Sequence, residues 1–463
     1  MTSKLPSVDL RGWGAHGAAV ERLRASYAAI PAGAPVRLAK KTSNLFRPRA
    51  ATSAPGLDVS GLDGVIAIDP VARTADVQGM CTYEDLVDAT LPHGLIPYVV
   101  PQLRTITLGG AVTGLGIEST SFRNGLPHES VLEMDVFTGA GEVVTCSPGP
   151  DGEHSDLFDA FPNSYGSLGY ATRLRIALEP VPGHVALRHV RFDDLGLLSK
   201  TIAEIAETSS YDGERVDAFD GVAFEPGEYY LSLARWSDEG GPTSDYTGMD
   251  IYYRSIQGRE TDLLTMYDYL WRWDTDWFWC SGAFGVQNPR VRRLWPKRWR
   301  RSDVYHKLIG LDRRIGFADW LDRRQGKPLR ERVIQDIEVP VERLPDFLEW
   351  FDEAVGMRPV WLCPCKALRD WPTYPLEKDH LYVNAGFWGT VHVGPDALDG
   401  PRNRAIEATV HELGGHKSLY SEAFYDRDTF DDLYDGANLA AVKGRYDPED
   451  RLTSLYDKAV KRQ

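Results

Sequence analysis

The glycine-rich run Thr107–Ser119 constrains the fold of this chain more than any other segment. It places four glycines within eight positions: Gly109, Gly110, Gly114 and Gly116. Glycine has no Cβ, so another backbone or a ligand can approach closely, and N–H groups can point at an anion. The segments on both sides read as strands, with a turn at Gly139–Gly141. The run is consistent with a diphosphate cradle and equally with a set of tight turns in a β-rich protein.

The two best-known phosphate loops do not match this run. A Walker A loop ends in Gly-Lys-Ser/Thr, and the sequence contains no such string. A dinucleotide fingerprint needs a third glycine three residues after Gly-x-Gly, whereas Ser119 stands at that place after Gly114-Leu-Gly116. The glycine run is therefore not a standard Rossmann nucleotide site.

Length and composition narrow the class of protein. A chain of 463 residues can hold two or three domains with full cores. The formal net charge of −15 argues against general nucleic-acid binding. No run of about 18 apolar residues is present, the first residues do not resemble a signal peptide, and the five cysteines do not suggest a disulfide framework. We expect a cytoplasmic protein with reduced thiols.

The charge is distributed unevenly. Between Arg290 and Arg332 there are fifteen Lys/Arg and five Asp/Glu, and the densest part, residues 290–301, interleaves cations with Trp295 and Trp299. Cations beside indole rings are typical of contact with an anionic lipid surface. The alternatives are a solvated basic face or one side of an oligomer contact.

The order of predicted elements favours an α+β fold. Val65–Asp69 and Thr74–Gln78 read as a strand pair, and Thr82 reads as the N-cap of a helix with Asp85 three residues later. Pro180 and Pro182 mark a boundary, and we divide the chain into residues 1–183, 184–400 and 401–463. The second part contains Trp271–Trp279, an aromatic run that suits either a bulky hydrophobic ligand or a large aromatic core.

Two metal-like motifs fail on spacing. His411 and His416 are five residues apart, whereas the zinc-protease helix motif needs four, and Gly414 and Gly415 disfavour a helix there. Cys363-Pro-Cys365 has one spacer and no second pair. We therefore expect no metal site.

Residues 62–180 resemble the FAD-binding domain of the vanillyl-alcohol oxidase / p-cresol methylhydroxylase (PCMH-type) superfamily, and Δ24-sterol reductases and their bacterial relatives in particular. The string Gly-Gly-x-x-x-Gly-x-Gly-Ile-Glu-Ser, Gly109 to Ser119, is the most specific match. Further similarity lies at residues 124–126, 155–158, 166–169, 361–364, 419–425, 430–436 and 455–458.

A narrower resemblance is to actinobacterial flavoproteins that reduce a 10-methylene fatty acyl chain to its 10-methyl form, as in tuberculostearic-type lipids. It rests on Tyr252–Ser255, Tyr269–Cys280 and Phe284–Pro289. It implies fatty acid biosynthesis as the setting and a methyltransferase partner that supplies the methylene lipid.

The resemblance implies a two-subdomain PCMH-type FAD-binding domain (1–183), an α+β substrate or cap domain with an antiparallel sheet (184–400), and a C-terminal segment (401–463) that returns to the FAD domain. Two loops would hold the FAD diphosphate. Many relatives carry a flavin-linked histidine in the first loop; here that loop has none, so we expect non-covalent FAD. The implied cofactor-binding residues are Lys41, Thr42, Ser43, Asn44, Leu45, Thr107, Leu108, Gly109, Gly110, Gly114, Gly116, Ile117, Glu118, Ser119 and Gly169.

An isolated alkene as substrate would require an acid near the flavin and a pocket without water, because no carbonyl polarises the bond. The candidates are Asp336 (with Glu338 on the same strand), Glu118, Lys417 and Tyr420. Asp336 leads because the matching strand in the superfamily lines the substrate side of the flavin. For each candidate a salt bridge or a surface position is the alternative.

The leading functional prediction is an NADPH-dependent FAD reductase of a lipid C=C bond, with a 10-methylene acyl chain or a Δ24-sterol-like alkene as substrate. NADPH rests on the resemblance alone, since no pyridine-nucleotide motif is visible. The alternatives are an FAD-dependent oxidase or dehydrogenase of an alcohol or sugar, and a non-catalytic lipid-binding protein with a flavin fold. Peripheral contact of residues 290–301 with an anionic membrane would fit a lipid substrate.

Overall fold

The computed structural model describes residues 8–40, 46–47, 56–315, 324, 329–394 and 397–462. Two antiparallel sheets organise these residues, and helices are distributed along the whole chain. The α+β fold class predicted from the sequence is confirmed. Among the helices of the described ranges, none is both long enough and apolar enough to cross a membrane.

The first sheet belongs to residues 65–180. Its order is β1-β2-β6-β4-β5, with β3 pairing against the far end of β6. The predicted pair Val65–Asp69 and Thr74–Gln78 is formed with an antiparallel register. The strands are β1 (Val65–Asp69), β2 (Thr74–Gln78), β3 (Leu95–Pro97), β4 (Val131–Phe137), β5 (Val143–Cys146) and β6 (Tyr170–Pro180).

The second sheet is formed by residues 184–417, in the order β12-β7-β11-β10-β14-β15-β13-β16. Its longest pairing joins β13 to β15 over their whole length. A separate two-stranded ribbon joins β8 to β9. The strands are β7 (His184–Phe192), β8 (Ser210–Tyr211), β9 (Glu214–Arg215), β10 (Ala218–Glu225), β11 (Glu228–Ser237), β12 (Thr261–Thr265), β13 (Leu329–Pro340), β14 (Val360–Cys365), β15 (Tyr382–Val393) and β16 (His416–Lys417).

Local sequence explains where the helix α2, Tyr83–Thr90, begins. Thr82 accepts a hydrogen bond from the backbone N–H of Asp85 at 3.1 Å, as its N-cap role predicts. The helices are α1 (Gly12–Ala28), α2 (Tyr83–Thr90), α3 (Leu108–Thr113), α4 (Ser121–Asn124), α5 (Ser155–Ala160), α6 (Leu195–Thr208), α7 (Tyr252–Gly258), α8 (Met266–Leu270), α9 (Pro289–Leu294), α10 (Ser302–Ile315), α11 (Leu344–Ala354), α12 (Pro401–Glu412), α13 (Arg427–Leu433), α14 (Gly436–Tyr446) and α15 (Leu455–Ala459).

The two faces of the second sheet have different coverings. One face packs on α6 and α11 through a cluster that includes Ile202, Phe347 and Phe351. The other face joins the core of the first sheet in one continuous apolar cluster that contains Trp271 and Trp273. Because side chains alternate along a strand, β13 sends Ile337 to the helices and its neighbours Asp336 and Glu338 to the opposite side.

Residues 401–462 contact the second sheet and also residues that lie beside the first sheet. Helix α12 packs on β13, and β16 extends the second sheet. Beyond them, the Val36 N–H donates to the Arg451 carbonyl at 2.8 Å and the Tyr446 hydroxyl donates to Asp156 at 2.8 Å. The C-terminal part of the chain therefore contacts residues on either side of position 183, and the three-part division of the chain stays a prediction.

Candidate functional site

A cavity lies between the glycine run, residues 107–119, and the second sheet. One side is formed by the residues around α3 and by Gly169, and the other by side chains of β13, β14 and β15. Apolar and aromatic groups dominate the lining, and a few polar groups converge at one end. Such a combination is typical of a site for a cofactor or a small substrate.

Packing inside the protein accounts for most of the glycines in the run. A Cβ on Gly109 would lie 2.6 Å from the Gly79 carbonyl oxygen, and one on Gly116 would lie 2.7 Å from Pro127. Gly114 would meet the Gly110 carbonyl at 2.8 Å. Gly109 thus allows α3 to lie against the residue that follows β2, whereas Gly114 and Gly116 allow the chain after α3 to pack against Tyr165 and Pro127. At Gly110, by contrast, the one close neighbour of a Cβ among the described residues would be the Thr107 hydroxyl.

Backbone N–H groups at the end of α3 remain available to an anion. The N–H of Gly109 donates to the Gly79 carbonyl at 2.9 Å, so it is already satisfied. Among the described residues, the N–H groups of Leu115 and Gly116 have no protein acceptor, and both residues line the cavity. The predicted anion cradle is thus better placed at the end of the run than at its first glycines.

The polar end of the cavity is built around Asp336. Its carboxyl is buried, with Asn384 Nδ2 donating to Oδ1 at 2.9 Å. The Tyr420 hydroxyl interacts with the same carboxyl and accepts a hydrogen bond from Trp388 Nε1 at 2.9 Å. Burial raises the pKa of Asp336 to about 7, and the nearby charge of Glu338 acts in the same direction, while Asn384 and Tyr420 partly oppose it. A large fraction of Asp336 therefore holds a proton at neutral pH.

Strand register makes room for this carboxyl. Gly386 on β15 lies directly opposite Asp336 on β13 and opposite Trp361 on β14. A Cβ on Gly386 would lie 2.6 Å from Asp336 Oδ1 and 2.6 Å from the Trp388 ring. Glycine inside a strand often marks such a close approach.

Aromatic side chains form the wall beside the acid. Phe278 packs on Trp388 with ring centroids 4.3 Å apart and on Trp361 at 5.5 Å. Phe278 and its neighbour Trp277 both have left-handed backbone conformations, with φ of 57° and 44°. Such conformations cost about 1–3 kcal/mol each in residues other than glycine and are found disproportionately at functional sites.

The run Trp271–Trp279 divides between core and cavity. Trp271 and Trp273 are fully buried in the main core, whereas Trp277 and Phe278 line the cavity. Part of the run is therefore core, as one reading predicts, and the reading of a hydrophobic ligand beside Trp277 and Phe278 stays a prediction.

Two of the four catalytic candidates lie away from the cavity. Glu118 is buried in an ion pair with Arg272 at 3.0 Å, and it is not among the lining residues. Lys417 is buried in an ion pair with Glu407 at 2.6 Å and donates to the Glu422 carbonyl. Their charges are engaged within the protein, and the geometry keeps only Asp336 and Tyr420 as candidates beside the cavity.

The predicted cofactor-binding residues fall into three groups. Thr107, Gly109, Gly110, Gly116, Ile117 and Gly169 line the cavity, whereas Leu108, Gly114, Glu118 and Ser119 lie behind its wall. Ser119 instead makes a buried hydrogen bond with the Tyr269 hydroxyl at 2.7 Å. Lys41, Thr42, Ser43, Asn44 and Leu45 lie outside the described residues.

Sequence reasoning did not single out several residues that complete the site. Asn384 and Trp388 lie on the same face of β15 as Gly386. In the sequence, the polar residue Asn384 within an otherwise apolar strand was the one feature that could have indicated a site. Tyr165 and Arg47 were also not singled out; the Arg47 guanidinium lies 4.9 Å from the centroid of the Tyr165 ring. Nothing local in the sequence brings positions 47 and 165 together.

The zinc-like histidines are separated by the fold. His411 lies in α12, whereas His416 lies in β16 and pairs with Glu338 at 2.8 Å. His416 is therefore a buried neighbour of Glu338, on the strand that also carries Asp336.

The first part of the chain is similar to known FAD-binding proteins. Residues 19–147 match the family model described as FAD binding domain. Cytokinin dehydrogenase 7 of Oryza sativa subsp. japonica is 39% identical over 129 residues, which cover 28% of this chain and 24% of that protein. The chain thus carries an FAD-binding domain at its N-terminal side.

Similarity over most of the chain is to sterol reductases. The Delta(24)-sterol reductase of Homo sapiens is 24% identical over 426 residues, which cover 88% of this chain and 76% of that protein. The Arabidopsis thaliana Delta(24)-sterol reductase is 23% identical over 457 residues with the same coverage. The broad resemblance predicted from the sequence is confirmed at this level, and the narrower one to fatty acyl reductases stays a prediction.

The cavity residues fit FAD. The N–H groups of Leu115 and Gly116, which have no acceptor within the described part of the chain, suit a diphosphate. At the other end, Asn384 is fully buried and, in the described chain, its Oδ1 has no hydrogen-bond partner. A buried acceptor without a partner is rare, and the ring N–H of a bound isoalloxazine would satisfy it. Phe278, Trp361 and Trp388 supply the apolar surface that a flat ring system needs.

Proposed function

We propose that this protein is an FAD-dependent oxidoreductase that uses NADPH to reduce an isolated C=C bond in a long-chain lipid. The observation that carries the proposal is Asp336: a buried carboxyl group at the cavity among Phe278, Trp361 and Trp388, where burial raises its pKa to about 7. A neutral acid beside apolar rings suits proton delivery to an alkene that has no polar group of its own.

Asp336 would donate its proton to the less substituted alkene carbon, leaving positive charge on the more substituted one. FAD held in the cavity would supply the hydride that completes the saturation, with NADPH as the source of the electrons. The product gains one proton and one hydride, so the step is balanced. Tyr420 and Asn384 hold the carboxyl in place, and the aromatic wall excludes water that would trap the cation.

The lining of the cavity and the similarity to known proteins support the proposed substrate class. Apart from the group around Asp336, the second-sheet side of the cavity presents indole and phenyl rings. The similarity to Delta(24)-sterol reductases over 88% of the chain supports alkene reduction. We propose a 10-methylene acyl chain or a Δ24-sterol-like alkene, and for the former a methyltransferase that supplies the methylene lipid.

Anaerobic stopped-flow spectroscopy tests the proposal. NADPH should bleach the flavin of the purified protein, and a 10-methylene acyl phospholipid or a Δ24 sterol should restore its colour with formation of the saturated product. Rapid flavin reduction by an alcohol, with no response to either alkene, would instead assign the protein to the oxidase class. A flavin that neither NADPH nor any of these substrates changes would favour a non-catalytic lipid-binding role.

We also propose that FAD is held without a covalent bond, because residues 41–45 read Lys-Thr-Ser-Asn-Leu and offer no histidine. Acid precipitation should release intact FAD into the supernatant, as measured by its absorbance and by mass spectrometry. Flavin that stays with the precipitated protein would contradict this. A protein that is colourless and does not bind added FAD would remove the cofactor assignment altogether.

A further inference from the structure

The surface around α9 exposes an unusual group of apolar side chains. Leu294 is 85% exposed, and Met249, Trp299 and Val291 are 46%, 46% and 39% exposed. We call these four residues the apolar patch. Large apolar side chains grouped in this way on a surface usually mark a contact site.

Buried arginines fix the two chain segments of the patch together. Arg292 pairs with Asp276 at 2.7 Å and donates through Nε to the Met249 carbonyl at 2.8 Å. Arg300 donates to the Gly248 carbonyl at 2.9 Å and to the Arg292 carbonyl at 2.6 Å. Residues 248–250 and 291–300 therefore form one rigid surface.

This arrangement corrects the prediction that the whole basic run 290–301 faces a membrane. Arg292 and Arg300 are buried, and Arg301 pairs with Glu84 at 2.7 Å. Four cations remain exposed around the apolar patch: Arg290, Arg293, Lys297 and Arg298. The acids close to the patch are Asp250, which is exposed, and Asp245, which lies 3.8 Å from Lys297.

The combination is complementary to a lipid headgroup layer. Cations would meet phosphates while Leu294 and the Trp299 ring enter the boundary with the acyl chains. The whole protein carries a formal charge of −15, so an anionic lipid surface would repel its other faces. The face with the apolar patch would then turn toward the lipid.

The patch is also close to the cavity along the chain. Helix α10 begins at Ser302, immediately after the patch. Its His306 ring lies 5.3 Å from Phe46 and 6.0 Å from Trp277 between ring centroids, and both of these residues line the cavity. The chain therefore leads from the patch through the first turn of α10 to a residue that contacts the cavity wall.

We propose that the apolar patch and its four exposed cations dock this protein on an anionic lipid bilayer. The proposal concerns binding alone, so it holds or fails independently of the alkene chemistry.

Sedimentation with phosphatidylcholine vesicles, with and without 30% phosphatidylglycerol, tests the docking. The wild-type protein should sediment with the anionic vesicles at low salt and be released at high salt. The variant R290Q/R293Q/K297Q/R298Q should bind on the order of 100-fold more weakly, because each cation near an anionic surface adds to the free energy of binding. The variant L294S/W299S should bind at least tenfold more weakly.

A charge-matched control is available on other faces. Lys200, Arg343, Lys378 and Lys461 are exposed, and K200Q/R343Q/K378Q/K461Q removes the same charge away from the patch. This control should bind vesicles like the wild type. Equal losses in both quadruple variants, or wild-type protein that ignores anionic vesicles, would overturn the proposal. A vesicle-free dimer that L294S/W299S converts to a monomer would instead assign the patch to a second copy of the chain.

Discussion

Asp336 shows how much of the proposed chemistry depends on the surroundings of one carboxyl. An aspartate in water ionises well below neutral pH, whereas burial brings the pKa of Asp336 to about 7. Asn384 and Tyr420 act against this shift by stabilising the charged form, yet desolvation outweighs them. The residue is thus balanced between acid and base at the pH where the enzyme would work.

The first prediction concerns Asp336→Asn. The variant should still bind FAD and be reduced by NADPH, but lipid-dependent reoxidation should slow by about 10²–10⁴-fold, the usual effect of losing a general acid. In the wild type, reoxidation should be fastest below about pH 7 and decline at higher pH, because the proton-bearing form is lost as pH rises through the pKa of Asp336. Stopped-flow traces at several pH values measure both effects. Unchanged reoxidation in the variant would remove Asp336 from the mechanism.

At the scale of elements, the glycine run acts mainly by letting α3 pack against β2. The contact between Gly109 and Gly79 is made by backbone atoms, which cannot move aside without shifting a strand. The run therefore helps to build the cavity by placing the end of α3, where two N–H groups have no acceptor among the residues that the structure describes.

The second prediction compares two neighbouring glycines. Gly109→Ala should destabilise the protein by about 1–3 kcal/mol, because its Cβ would lie 2.6 Å from the Gly79 carbonyl oxygen. Gly110→Ala should cost less, since the close neighbour of its Cβ in the described chain is the Thr107 hydroxyl that caps α3, a side-chain group that can shift, and alanine favours helices. Urea unfolding of the two variants measures the difference. Equal stability of both would show that the close packing of α3 is not needed.

At the scale of the whole molecule, a buried ion cluster ties the two sheets together. Arg272 contacts Glu118, which follows the glycine run, and Asp220 of the second sheet, each at 3.0 Å. Trp273 and Trp361 also donate to Asp220, at 2.8 and 3.1 Å. The cluster therefore holds the segment that follows the glycine run against the second sheet. The tryptophan Trp361 of this cluster, on β14, also lines the cavity.

The third prediction is that Arg272→Met destabilises the protein by about 3–5 kcal/mol, because two carboxylates would be left buried without their cation. Arg215→Met is the control: Arg215 is largely exposed beside Asp217, so its loss should cost at most about 1 kcal/mol. Thermal and urea unfolding give the comparison. A loss at Arg272 no larger than at Arg215 would mean that the cluster does not hold the sheets together.

The sequence by itself determined the local features of this protein. Thr82 as an N-cap, the pair β1–β2 and the glycine run all follow from backbone preferences of neighbouring residues. The alternation of Asp336 and Glu338 with apolar residues also indicated a strand with one polar face. The match of residues 19–147 to the FAD-binding domain agrees with the motif that the glycines carry.

Only the tertiary structure decided which charges are free and which are engaged. Glu118 and Arg272 are 154 positions apart, and their pairing removed Glu118 from the cavity. Strand register placed Asn384 and Gly386 beside Asp336, and long-range contacts divided the basic run into buried and exposed arginines. Desolvation and ion pairing depend on neighbours in space, which local sequence patterns do not encode.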